Sequence, residues 1–216
     1  MDQFGTDRVV QNIVFMGQGE PFYNYANVVG AIHLLGDPNG LCFSKKRITV
    51  STSGVVPMIR RFSSDEELET VQLAISLHAV RDEIRDELVP VNRQWPLKEL
   101  MAACRDYHQK RRLVFEYVML RGVNDTSEDA KKLIELLQGL RAVVNLIPFN
   151  AWPGSRYECS HRTDIIHFHD LLQASGIPAP IRWPRGDDIL AACGQLQTLQ
   201  DTLVGPPVVS KPSPSL

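Results

Sequence analysis

A chain of 216 residues with 44% hydrophobic and 22% charged residues can build one sizeable core in one or two domains, and lies far from the composition of a disordered protein. The formal net charge of −2 excludes a global electrostatic footprint for nucleic acid, so such contacts must use local basic patches, SKKR at 44–47 or QKRR at 109–112, which otherwise read as solvated surface. No apolar run approaches membrane-spanning length and the opening MDQFGTDRVVQ has no signal-type apolar region, which reads as a cytoplasmic chain.

Short apolar runs rich in β-branched residues predict strands at NIVFMG (12–17), RITVST (47–52), VQLAISLH (71–78), LVFEYVML (113–120) and VVNLIPFN (143–150), with a shorter sixth at APIRW (179–183). Helical periodicity covers 24–36, 54–62, 96–110, 127–139, 162–175 and 187–197. Strand and helix thus alternate, and near-continuous apolar strands separated by helices imply an α/β fold. Its parallel sheet is either open or curled toward a (β/α) barrel. Residues 1–200 read as this core, and 201–216, ending in GPPVVSKPSPSL, as a Pro/Ser-rich disordered tail.

The strands carry their polar and glycine residues at their carboxyl ends, where parallel α/β folds bind ligands. NIVFMG runs into QGEP, ITV into STSG, LAI into SLH and NLIPF into Asn150, which predicts one site built from four loops. In MGQGEP (16–21) the glycines let backbone approach a ligand closely. There Glu20 either receives a ligand ammonium group or caps the next helix. The serines of STSG (51–54) and of SLH (76–78) present hydroxyls beside an imidazole; the alternative is that they cap helices while His78 satisfies local backbone. Neither GxGxxG nor GxxxxGK is present, so no phosphate-binding fingerprint is claimed, and no GxSxG nucleophile elbow occurs.

Cys42, Cys104, Cys159 and Cys193 are scattered, without a CxxC, and read as free thiols. Zinc at Cys159, His161, His167 and His169 is rejected, because His167 and His169 fall on nearly opposite faces of a predicted helix. Cys193 lies among Ala191, Ala192 and Gly194 in RGDDILAACGQL, about two turns into the predicted helix, so that the helix dipole activates it little. Its use must come from what it faces.

The strings NIVFMGQGEP, RITVSTSGVVP, AISLHAVRDEIRDELVPVN, EYVMLRGVND, NLIPFNAWPG and RGDDILAACGQL occur in this order over roughly residues 9–197. Together they resemble the radical S-adenosylmethionine (SAM) RNA methyltransferases of the RlmN/Cfr type, and the RlmN branch more closely. That resemblance implies a radical-SAM-type, TIM-like (β/α) barrel with its first strand missing, and methylation of adenine C2 in 23S ribosomal RNA and in some tRNAs. It assigns SAM contacts to Gly19, Glu20, Ser51, Ser76, Leu77, His78 and Asn150. Cys193 takes the part of the cysteine that is itself methylated and carries the one-carbon unit; its small neighbours leave room for it to reach both a sulfonium and a base.

The family also holds a [4Fe-4S] cluster on CxxxCxxC, and that motif is absent here, as are the partner cysteine beside it and an amino-terminal helical domain. The chain therefore reads as the carboxyl-terminal portion of an RlmN-like enzyme: a fragment, a truncated gene model, or a split enzyme completed by a partner chain carrying the cluster loop. A barrel begun at its second strand exposes the edge of NIVFMG, which invites pairing with another chain. Two alternatives stand beside it: a catalytically inactive SAM- or RNA-binding module, and a Cfr-like enzyme specific for adenine C8.

Overall fold

A computed structural model describes residues 10–107, 111–151 and 154–183. Five parallel strands run in the order β1 (Ile13–Phe15), β2 (Ile48–Thr52), β3 (Gln72–Ser76), β4 (Leu113–Met119), β5 (Ala142–Pro148). Each strand pairs with its neighbour in sequence, so right-handed crossovers put all the helices on one face. This sequential order is that of a (β/α) barrel and differs from a doubly wound sheet, whose strand order reverses. After β5 the chain continues the arc: Leu146 bridges Ile181 in parallel, and the Arg182 N–H donates to the Leu146 carbonyl at 2.7 Å.

The intervening helices are α1 (Tyr25–Gly36), α2 (Val56–Ser63), α3 (Asp82–Leu88), α4 (Leu97–Arg105), α5 (Ser127–Leu136) and α6 (Arg162–Ala174). The predicted helix at 96–110 ends at Arg105, where the Asp106 N–H donates to the Ala102 carbonyl and closes the last turn. That at 127–139 ends at Leu136, ahead of Gly139, which takes the left-handed φ of 80°. At its other end Thr126 and Asp129 form a reciprocal capping box, worth about 1 kcal/mol. Helix α3 has no counterpart in the predicted set. Its sequence, DEIRDEL, shows little apolar periodicity, and its one buried residue is Arg85. The predicted helix 187–197, and Cys193 with it, lies outside the described residues.

Strand alternation divides the chemistry of the sheet. In β4, Leu113, Phe115, Tyr117 and Met119 are buried against the helices, whereas Val114, Glu116 and Val118 are half-buried on the concave face. β2 repeats the pattern, with Ile48, Val50 and Thr52 in the core and Thr49 and Ser51 facing inward. One apolar cluster from Phe22 through Ala179 fills the outer layer, leaving the concave face and the carboxyl ends of the strands to polar groups.

Candidate cofactor cleft

Residues Phe15, Met16, Gly17, Gly19, Glu20, Pro21, Ser51–Ser53 in β2 and its loop, and Ser76 line a cavity of about 330 Å³ at the carboxyl ends of β1, β2 and β3. That volume is within the ordinary range of small-molecule sites, about 300–1,000 Å³. Gly19 has φ 86°, a backbone conformation that favours glycine, although a Cβ there would meet only open space.

Glu20 is the most firmly held group in the cleft. The Phe22 N–H donates to Oε1 at 2.9 Å, so the carboxylate caps the short 3₁₀ turn Pro21–Asn24. The backbone N–H and the hydroxyl of Ser53 both donate to Oε2 at 2.6 Å. A carboxylate offers about four acceptor sites, so these three bonds fix its orientation and leave capacity for one further donor. Capping and ligand reception, opposed as alternatives at the level of sequence, are compatible here.

Neither Ser51 nor Ser76 caps a helix. The turn before α2 is served by Thr52, whose Oγ1 accepts from the Gly54 and Val55 N–H groups at 3.1 and 3.4 Å. Among the described residues the hydroxyls of Ser51 and Ser76 and the carboxamide of Asn150 make no hydrogen bond, so they are uncommitted groups at the strand ends. Leu77 is different. Its side chain is buried in the core, its N–H donates to the Glu116 carbonyl, and its own carbonyl accepts from Ala79 N–H and from Arg85 Nε. The resemblance's assignment of Leu77 to ligand contact finds no exposed surface here: the side chain belongs to the core.

His78 sits in the left-handed region at φ 58°. Its carbonyl accepts from Asn124 Nδ2 at 2.7 Å, and its Nδ1 accepts from the Val118 N–H at 3.2 Å, which places the ring proton on Nε2. Burial, reinforced by the charge of Arg85, lowers its pKa to about 4, so at neutral pH the ring is uncharged. Leu77, His78 and Asn150 do not line the Glu20 cavity; they continue the same strand-end rim toward β4 and β5.

Three groups that sequence reasoning passed over extend this polar surface. Glu116 pairs in register with Ser76 on one side and Asn145 on the other. Asn145 Nδ2 donates to Glu116 Oε1 at 2.8 Å, and Arg182 Nε donates to Asn145 Oδ1 at 3.3 Å. Burial raises the pKa of Glu116, with the Asn145 hydrogen bond and Arg182 pulling it back. The signal was present in EYVML and NLIPF, where a Glu and an Asn interrupt otherwise apolar strands.

The histidines near Cys159 have local partners: His167 Nε2 lies 3.1 Å from the Ser127 hydroxyl and His169 Nδ1 lies 2.6 Å from the Ala179 carbonyl. Among the described residues no three His, Cys, Asp or Glu side chains are grouped to hold a metal ion. No described helix is long and apolar enough to cross a membrane.

Comparison with known proteins agrees with this geometry. Residues 2–137 match the sequence model of the Radical SAM superfamily. The chain is 56% identical over 199 residues to a dual-specificity RNA methyltransferase RlmN of Methylobacterium radiotolerans, covering 91% of this chain and 46% of the relative. It is 56% identical over 200 residues to the RlmN of Rhodopseudomonas palustris TIE-1, covering 91% and 49%. Among solved structures, a radical SAM methyltransferase from Sphaerobacter thermophilus superposes with TM-score 0.83 at 47% identity, over 87% of this chain and 55% of the other. A domain of a pyruvate-formate lyase-activating enzyme from Bacteroides vulgatus shares the fold at TM-score 0.58 and 16% identity, over 80% of this chain and 99% of the other. The chain thus spans about half the length of the curated relatives it matches.

Proposed function

Because this chain belongs to the radical SAM superfamily, in which SAM and a [4Fe-4S] cluster are the shared cofactors, we propose that it forms the SAM-binding portion of an RlmN-type RNA methyltransferase. The observation that carries this reading is the Glu20 carboxylate, held by three donors at the mouth of a glycine-lined cavity beside the uncommitted hydroxyls of Ser51 and Ser76. Such a group receives the methionyl ammonium through a charge-assisted hydrogen bond, with Gly19 permitting close backbone approach. Ser51, Ser76, His78 and Asn150 provide hydrogen-bonding groups along the remaining rim, whereas Leu77, fully buried in the core, offers the ligand no surface.

The residues present suit SAM but not the cluster, since CxxxCxxC is absent from the sequence and no described side chains replace it. No reaction step is therefore assigned to this chain through the cluster. A [4Fe-4S] cluster would supply the electron for reductive cleavage of SAM, and no residue of this chain is assigned to hold it. The motif resemblance of the sequence suggests Cys193 as the methyl carrier and adenine C2 of rRNA and tRNA as the target, and the RlmN relatives, named as dual-specificity RNA methyltransferases, support an RNA substrate.

The test is isothermal titration of the chain with S-adenosylhomocysteine, beside Glu20→Ala. Binding in the micromolar range that weakens at least tenfold in the variant supports the reading. No binding at millimolar ligand, or equal binding by both proteins, overturns it. RNA from cells expressing a chain-bearing full enzyme, digested and weighed, separates methylation at C2 from methylation at C8.

A further inference from the structure

The β2–β3 ladder ends at the pair Thr52 and Ile75, one residue short of the two groups that border the cavity, Ser53 and Ser76. At that point the strands are joined by a side chain. Arg85, 0% exposed, donates through Nη2 to the Ser53 carbonyl at 2.7 Å and to the Ser76 carbonyl at 3.0 Å. Its Nε donates to the Leu77 carbonyl at 3.1 Å, and its Nη1 to Asn92 Oδ1 at 2.8 Å. Asn92 is oriented in turn by donating Nδ2 to Asp82 Oδ1 at 2.9 Å and Asp86 Oδ1 at 2.7 Å.

Two further features belong to the same device. Ser53 grips Glu20 with its N–H and hydroxyl while its carbonyl faces Arg85, so a continuous chain of contacts runs Glu20, Ser53, Arg85, Ser76. Gly54 has φ 115°, and a Cβ on it would stand 3.1 Å from Nη2, so the absence of a side chain lets the guanidinium reach the strand end. Burying a guanidinium costs several kcal/mol unless its donors are satisfied, and an apolar residue would fill the same space more cheaply. The planar fork offers something an apolar residue does not, a rigid set of donors that fixes several carbonyls at once.

We propose that Arg85 is a positioning residue, which sets the distance between the Glu20 side and the Ser76 side of the cleft so that one ligand engages both. This inference rests on the reading of the cleft as a SAM site. The consequence is specific. A ligand spanning both sides gains from their fixed spacing, whereas a fragment touching one side does not.

The experiment compares wild type, Arg85→Lys and Arg85→Met by titration with S-adenosylhomocysteine, 5′-methylthioadenosine and L-methionine, with circular dichroism to verify folding. Arg85→Met is expected to weaken S-adenosylhomocysteine at least tenfold and the two fragments by less than twofold, and Arg85→Lys to recover part of the loss. Should Arg85→Met fail to fold, the same contrast between spanning ligand and fragments in Arg85→Lys decides. Equal weakening of fragments and spanning ligand, or no weakening at all in a folded variant, overturns the proposal. Failure of the wild type itself to bind S-adenosylhomocysteine overturns the SAM reading, and this inference with it.

Discussion

Glu20 Oε2 lies 2.6 Å from both the backbone nitrogen and the hydroxyl oxygen of Ser53, a residue 33 positions away on the next strand's loop. Hydrogen bonds to a charged group are worth about 1.5–3 kcal/mol each. Ser53→Ala removes the hydroxyl bond but keeps the N–H, and is expected to weaken S-adenosylhomocysteine about three- to tenfold. Glu20→Gln replaces one acceptor oxygen by a donor facing other donors, and is expected to cost more than Ser53→Ala. Titration of the two variants side by side checks the order, and a reversed order counts against the assigned geometry.

His78 gives the fold a pH dependence of defined sign. The unfolded chain takes up a proton as pH falls through about 6.5, while the folded ring resists until about 4, so stability is lost on acidification across this window. By pH 5 the loss is about 2 kcal/mol, at 1.36 kcal/mol per pKa unit. Urea denaturation at pH 7 and pH 5 should show this component in the wild type and not in His78→Gln. Identical pH slopes in the two proteins contradict it.

Glu116 carries the same burial penalty with the opposite pH sign: its ionised form is disfavoured, so its cost falls on acidification. Glu116→Gln keeps an acceptor for Asn145 and removes the buried charge, so it is expected to stabilise the fold at pH 7, read as a higher Tm. The gain should shrink as the pH is lowered and the wild-type carboxyl protonates. A scanning calorimetry series from pH 7 to pH 4.5 measures both; a lower Tm for the variant at pH 7 rejects the account.

β1 pairs only with β2 among the described residues, and Val14 on it is 57% exposed. An unpaired strand with apolar side chains templates association. Val14→Lys is expected to raise the concentration at which the chain stays monodisperse in light scattering, without lowering stability by more than about 0.5 kcal/mol. No change in association argues that the edge is not the sticky surface.

The strands and the cleft were readable from the sequence for the same reason: alternation and polar strand ends report directly on burial. RITVST and LVFEYVML became β2 and β4 almost residue for residue. Gly19, Glu20, Ser51 and Ser76, on separate segments, meet in one cavity. Helix α3 was illegible because its buried side chain is a charged Arg85, which a hydrophobic pattern counts as surface. Ser53 was passed over within STSG because its role depends on where Glu20, 33 residues earlier, comes to rest. The half-buried Glu116 and the buried Asn145 were hidden in the other direction, as single polar letters inside apolar words.

The division of each strand into a core face and a concave face has an evolutionary corollary. Substitutions at Phe115 or Tyr117 disturb packing that the whole molecule shares, whereas the side chain of Glu116, between them, faces the interior with Asn145 and Arg182. Adjacent letters thus answer to different selective pressures, one for folding and one for what the barrel accommodates. A lineage can exchange the inward row to take a new substrate while inheriting its scaffold intact.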